Sequence, residues 1–238
     1  MLIRKQGNPL YKQIADLLEQ EIHQFYKAED SLPPEQELAD RFSVNRHTLR
    51  KGIDQLVTKG LVERVHGRGV FVLGGPLDYS IGKGSRFTAN LVALGKGSDC
   101  RLLRNVEIKA QGNIAKSLEL ELGAPVIWLE TLRSVEEKPL CVISHYLPKE
   151  RLGENAIEYQ GGSLHAYLKG LGIKPIRKMS TITAVLPMDD DAVLLVMSSH
   201  QPILRVKTLN RDEVTGLPIE YALARFRADR TQLSINID

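Results

Sequence analysis

The stretch that most constrains this chain is Ser43-Val-Asn-Arg-His-Thr-Leu-Arg-Lys-Gly-Ile-Asp-Gln-Leu-Val-Thr-Lys-Gly60. Leu49, Ile53, Leu56 and Val57 recur at i, i+4, i+7 and i+8 and form one apolar stripe, which predicts an amphipathic helix. Asn45 is placed to cap it, because its side chain can accept an orphan backbone N–H of the first turn. Gly60 ends it. Arg46, His47, Arg50 and Lys51 lie off the stripe, near the amino end. A helix that is apolar behind and cationic in front suits a DNA major groove. A solvated surface helix carries the same pattern, so the flanking segments decide between the two.

Upstream, Asn8-Pro9 opens a helix with proline where a missing N–H costs little. Tyr11, Ile14, Ala15, Leu18 and Ile22 keep helical spacing. A second helix follows Ser31-Leu32-Pro33-Pro34, with Glu35, Gln36 and Glu37 in its first turn, where acids complement the dipole. Leu38, Ala39 and Phe42 give it an inner face, and a short break at Ser43-Val44 leads into the basic helix. Two short helices joined by a tight turn, the second basic, make a helix-turn-helix. Downstream, Leu61–Val72 reads as two strands joined by Gly67-Arg68-Gly69. Its place after the basic helix, with Arg68 at the tip, turns an ordinary hairpin into a candidate minor-groove wing. The charge agrees. The whole chain carries only +3, but between Ser43 and Val70 the six cations Arg46, Arg50, Lys51, Lys59, Arg64 and Arg68 face only Asp54 and Glu63. Positive charge is concentrated where phosphates must be met.

Leu32-Pro-Pro-Glu-Gln-Glu-Leu-Ala39, Val44-Asn-Arg-His-Thr-Leu-Arg50, Gly60-Leu-Val62 and Gly67-Arg-Gly-Val-Phe-Val72, in that order, resemble the winged helix-turn-helix of GntR-type bacterial repressors. The resemblance implies operator contacts from Arg46, Thr48 and Arg50 and a wing tip at Gly67 with its flanks His66 and Arg68; Gln36, and His47 beside them off the apolar stripe, complete the candidate set. Gln36 stands where the family often has a basic residue; it can hydrogen-bond but brings no charge.

Gly74-Gly75-Pro76 marks a domain boundary. The expected division is a DNA-binding domain over 1–75, a linker over 76–84 and an effector-binding and dimerisation domain over 85–238. Expected strands in the second part are Leu102–Ala110, Val126–Val135, Leu140–Leu147, Lys178–Leu186, Ile203–Asn210, Pro218–Arg227 and Leu233–Ile237. Expected helices are Ser85–Leu94, Ile114–Glu121, Ser163–Leu171 and Asp189–Met197. Strands joined by short turns imply an antiparallel sheet with helices packed on it, an α+β fold. The segment also repeats itself. A shift of 77 residues places Ala115, Leu118, Pro125, Leu129 and Thr131 on Ala192, Leu195, Pro202, Val206 and Thr208. After a two-residue insertion Pro139 falls on Pro218. A pseudo-twofold domain follows, in which Arg133 is equivalent to Asn210 and Cys141 to Glu220. Arg133 and Glu220 break the repeat, which points to a ligand.

Arg86-Phe-Thr88, Thr131-Leu-Arg133, His145-Tyr-Leu-Pro148, Gly162-Ser-Leu164, Pro218-Ile-Glu-Tyr221 and Arg227-Ala-Asp-Arg230 resemble the effector domain of the HutC subfamily of GntR regulators, the UTRA domain, with its chorismate-lyase-like α+β fold. Within it, Gly162-Ser-Leu-His165 and the Thr-Leu-Arg to His-Tyr stretch are most similar to PhnF-type regulators of phosphonate-utilisation operons.

Two predicted helix starts, Arg86-Phe87-Thr88 and Gly161-Gly162-Ser163, could hold an anion on backbone N–H groups. Arg133 could clamp a phosphonate or phosphate, and Glu220 could accept hydrogen bonds from ligand hydroxyl or amino groups. Ser163 could equally be a plain N-cap, Arg133 a strand-surface charge, and Glu220 a partner of Arg225 or Arg227. His145 and His165 read as structural. No nucleophile–base–orienter set, Cys/His zinc spacing or apolar run of about 18 residues is visible, so no catalysis, cofactor, metal or membrane span is expected. The first residues are not a secretory signal, and two scattered cysteines suit a reducing cytoplasm. The expectation is a homodimeric repressor that binds a palindromic double-stranded operator and is released by a small anionic effector. A regulator of sugar-phosphate or amino-sugar uptake, a lyase-like enzyme and an architectural DNA binder stay open as alternatives.

Overall fold

The computed structural model describes residues 9–82, 98–152, 158–188 and 190–235, and divides into two units at Leu77/Asp78. The first contains α1 (Leu10–Phe25), α2 (Glu35–Arg41), α3 (Arg46–Thr58) and the hairpin β1 (Val62–Val65) and β2 (Gly69–Val72). Its core is the predicted stripe: Leu49, Ile53 and Leu56 of α3 are fully buried against Ile14, Leu18 and Ile22 of α1. Asn45 caps α3, its side chain accepting from the Thr48 N–H at 2.8 Å. Gly60 leaves the helix at φ 68°, and the Gly60 and Leu61 N–H groups close back on Val57 and Leu56. The turn between α2 and α3 closes in the same way, with Ser43 at φ 52°. Both are ends in which a left-handed residue lets the last carbonyls be satisfied.

The second unit contains β3 (Leu77–Ile81), β4 (Ser98–Lys109), α4 (Gly112–Leu118), β5 (Pro125–Val135), β6 (Lys138–Pro148), α5 (Lys149–Leu152), α6 (Leu164–Gly170), β7 (Pro175–Val185), α7 (Asp191–Leu194), β8 (Ile203–Asp212), β9 (Pro218–Arg227) and β10 (Thr231–Ile235). Residues 76–84, read above as linker, are corrected. Leu77, Tyr79 and Ile81 alternate inward as β3, which pairs with β10. The Gly-Gly-Pro signal hid a strand only five residues long.

The main sheet is antiparallel with order β4-β5-β6-β9-β8-β7, which reads the same from either edge once the two halves are superposed. The repeat holds in register. Val106 pairs with Trp128, and 77 residues on Thr183 pairs with Arg205. The β5–β6 ladder slips after Arg133↔Cys141, and the β8–β9 ladder slips after the equivalent pair Asn210↔Glu220. α4 and α7, one per repeat, cover opposite ends of one face. α5 and α6 pack Leu152, Leu164 and Leu168 on the other, against Ile127, Leu129 and Leu147. Among the described residues, the helix expected over Asp189–Met197 is only the turn Asp191–Leu194, and the helix expected over Ser85–Leu94 lies outside the described residues.

Candidate nucleic-acid interface and effector cavity

The cap at Asn45 starts α3 so that Arg46, His47, Arg50 and Lys51 are all exposed, while Thr48 is half-buried. The cations are not idle. Arg50 Nε donates to Glu35 Oε2 at 2.8 Å, and Arg46 donates to Gln36, whose amide donates in turn to Asp40 Oδ1 at 2.8 Å. Gln36 therefore braces Arg46 from α2. Arg64 of β1 ties the helix from behind, bonded to Asp54, to Glu35 and to the Arg50 carbonyl. Such exposed pairs are worth roughly 0–1 kcal/mol, so phosphate can displace them. The hairpin loop His66-Gly67-Arg68 is exposed, with Gly67 at φ 71°, and the Arg68 guanidinium lies 5.4 Å from the Phe71 ring centre. Leu32 N–H bonds Val70 C=O and Val72 N–H bonds Asp30 C=O, which anchors the wing to the segment before α2.

In the second unit a cavity of about 110 Å³ opens on the face covered by α6. Arg133, Ser163 and Glu220 all line it, so three residues from separate strands and a loop are brought together. Arg86, Phe87 and Thr88 lie outside the described residues. Arg133 is only 5% exposed, which rules out the strand-surface reading. Its neighbour Tyr159 donates to the Gly162 carbonyl at 2.8 Å; burial raises the Tyr159 pKa, against the opposing pull of Arg133. Ser163 is an N-cap, accepting from Ala166 N–H at 3.2 Å, and its side chain still borders the cavity.

Glu220 is already engaged. Its two oxygens already accept from His145 Nδ1 and Asn210 Nδ2, both at 2.5 Å, so it holds those side chains rather than standing open for ligand hydroxyl or amino groups. It pairs with neither Arg225 nor Arg227: Arg225 bonds Asp191 and Glu130, and Arg227 bonds Asp229. Burial alone would raise the Glu220 pKa, but the bonds from His145 and Asn210 and the charge of Arg177 hold it below the usual carboxylate range. His145, read as structural, is in the cavity wall with Nε2 buried and unpartnered. His165 lines it too.

Arg177 is the residue the sequence reading missed. It sits on β7 opposite Asn210, itself opposite Glu220. Its Nε and Nη1 are buried without a hydrogen-bond partner, and it lines the same cavity as Arg133. The signal was available: a shift of 77 places Arg177 on Cys100, so the row Arg177–Asn210–Glu220 is the repeat of Cys100–Arg133–Cys141. The two rows keep position and exchange polarity. Among the described residues no cluster of His, Cys, Asp and Glu could hold a metal, and no helix there is long and apolar enough to cross a membrane.

Comparison with known proteins follows this division. Residues 10–72 match the model for bacterial regulatory proteins of the gntR family, and residues 93–232 match the UTRA domain. The chain is 40% identical over 226 residues to the "Probable transcriptional regulator PhnF" of Escherichia coli K12, covering 94% of each. It is 29% identical to the "HTH-type transcriptional repressor PhnF" of Mycolicibacterium smegmatis, covering 84% of this chain and 82% of that one. The crystal structure of PhnF from Mycobacterium smegmatis superposes with TM-score 0.66 at 26% identity, over 94% of this chain and 99% of that chain.

Proposed function

The chain belongs to the GntR family of bacterial transcriptional regulators and carries its UTRA domain, and from that membership we propose that it represses a phosphonate-utilisation operon. It is a DNA-binding regulator and not an enzyme: the relatives that span nearly its whole length are regulators. In the proposed cycle a homodimer in the cytoplasm holds a palindromic operator through Arg46, His47, Thr48 and Arg50, with Gln36 bracing Arg46 and the His66-Gly67-Arg68 wing beside them. A small phosphonate- or phosphate-bearing effector favours a state that no longer matches the operator.

One observation carries the effector reading. Arg177 keeps two buried guanidinium N–H donors without partners in the cavity that buried Arg133 also lines. Burying such donors unmet is costly, and a tetrahedral oxyanion meets two guanidinium forks at once. Ser163 adds a hydroxyl, and the Glu220-held pair His145 and Asn210 form the other polar wall. A regulator of sugar-phosphate or amino-sugar uptake would use the same guanidiniums. The cavity of about 110 Å³ favours the compact ligand, since about 150 Å³ is what holds a benzene.

The test is a thermal-shift series with methylphosphonate, phosphate and a hexosamine phosphate, paired with operator release. Methylphosphonate is expected to raise the melting temperature and release the operator. Arg177→Ala is expected to lose both responses and keep operator binding. An Arg177→Ala protein that responds like the wild type would remove the cavity from the mechanism.

A further inference from the structure

The opposite face of the main sheet carries a second and larger cavity, of about 370 Å³, against α7. We propose that it is a second ligand site, for a small aromatic carboxylate, separate from the effector cavity. It falls in the range of small-molecule sites, roughly 300–1,000 Å³.

Its aromatic wall is built by strand register. Trp128, Tyr146 and Tyr221 stand opposite one another on β5, β6 and β9. Their rings stack at centroid spacings of 6.1 Å, with interplanar angles of 23° and 26°. All three are half-buried; Trp128 and Tyr146 line the cavity with a flat apolar surface, and Tyr221 continues the row beyond it. The Arg104 guanidinium lies over Trp128 at 4.1 Å and can be exchanged for another flat group.

The charge comes from the next strands. Arg205 and Arg225 are direct cross-strand neighbours on β8 and β9, an unfavourable pairing of like charges. Arg225 is fully compensated, by Asp191 at 2.7 Å, Glu130 at 2.8 Å and Ser144 at 3.0 Å. Among the described residues no carboxylate pairs with Arg205, and its guanidinium donates to Thr183 Oγ1 at 3.3 Å. The cavity thus holds one half-buried guanidinium lacking a counter-ion. Half-buried Glu130 and buried Asp191 are already engaged by Arg225, and with exposed Asp190 they would repel a dianion. One carboxylate on Arg205, with its ring toward Tyr146 and Trp128, satisfies both features. None of these residues lines the effector cavity.

Trp128 is the chain's single tryptophan and so a built-in reporter. The full-length protein is titrated with phenylacetate and with phenylethanol, its uncharged counterpart, following selectively excited tryptophan fluorescence. Phenylacetate is expected to give a saturable change, to bind at least about tenfold tighter than phenylethanol, and to persist under saturating methylphosphonate. Arg205→Gln is expected to weaken it about tenfold; if that variant does not fold, Arg205→Lys, which keeps the charge and loses the fork, is read instead and a smaller loss is expected. Equal responses to acid and alcohol, displacement by methylphosphonate, or unchanged affinity in the Arg205 variant would each overturn the proposal. So would emission that ignores both compounds and varies with protein concentration, because a second copy of the chain would then cover the cavity.

Discussion

At the residue scale, the informative side chains are those whose surroundings differ from their sequence neighbourhood. Glu220 is the clearest. It lies in an ordinary strand, Pro218–Arg227, yet it is buried and holds His145 and Asn210. Its carboxyl is kept ionised below the usual range by those bonds and by Arg177, against its burial. The stability consequence has a definite sign. A carboxyl whose folded pKa lies below its unfolded value, near 4.3 for glutamate, stabilises the fold above that value, and the contribution is lost as pH falls through the lowered folded pKa. Urea unfolding across the acid range is therefore expected to show a steeper loss of stability in the wild type than in Glu220→Gln. Parallel curves would show that folding does not lower the Glu220 pKa. Cys141 marks the opposite extreme: burial pushes its thiol up to about 12, so it stays a packing group.

At the element scale, α3 is held by close approach as much as by its apolar stripe. Gly52 faces α1, where a Cβ would meet the Tyr11 carbonyl oxygen at 3.0 Å and Ile14 Cγ2 at 3.2 Å. A backbone carbonyl inside a helix cannot step aside. Alanine would gain up to about 1 kcal/mol of helix propensity but overpack the contact at roughly 1–3 kcal/mol. Gly52→Ala is expected to lower the stability of the DNA-binding unit by about 1 kcal/mol net, measurable by calorimetry of the full chain. A melting temperature at or above the wild type would mean that α1 shifts to make room. On the proposed assignment of α3 to the operator, the helix would meet DNA from a fixed height, because its back is packed against backbone.

At the scale of the whole molecule, two units with separate cores divide the work. Regulation requires a coupling free energy between them, and that coupling is reciprocal. Two substitutions separate the parts. Arg50→Ala is expected to cost about 1–3 kcal/mol of operator affinity at fixed salt and to leave the effector's thermal shift intact. Arg133→Ala is expected to keep operator affinity and lose the shift. Electrophoretic mobility and thermal melts of both variants check this. Unchanged operator binding in Arg50→Ala would sink the recognition-helix assignment, and normal release in Arg133→Ala would take that arginine out of the effector site.

The helix-turn-helix, the wing and the repeated sheet were legible in the chain because each rests on local spacing: apolar residues at helical intervals, alternation in strands, the glycine that stops α3. Even the register could be read, since a shift of 77 and then 79 residues reproduces both ladders and both slips. Local spacing does not say which of two faces a polar residue on a strand will meet, or with whom. β3 was too short to outweigh Gly-Gly-Pro, and Arg177 looked like one more basic residue. Only the folded sheet sets Arg177 beside Asn210 and Glu220, turns Glu220 inward to hold His145, and leaves Arg205 on the opposite face without a partner among the described carboxylates. Those facts depend on residues dozens of positions apart meeting across strands, and burial then sets the cost of every unpaired charge.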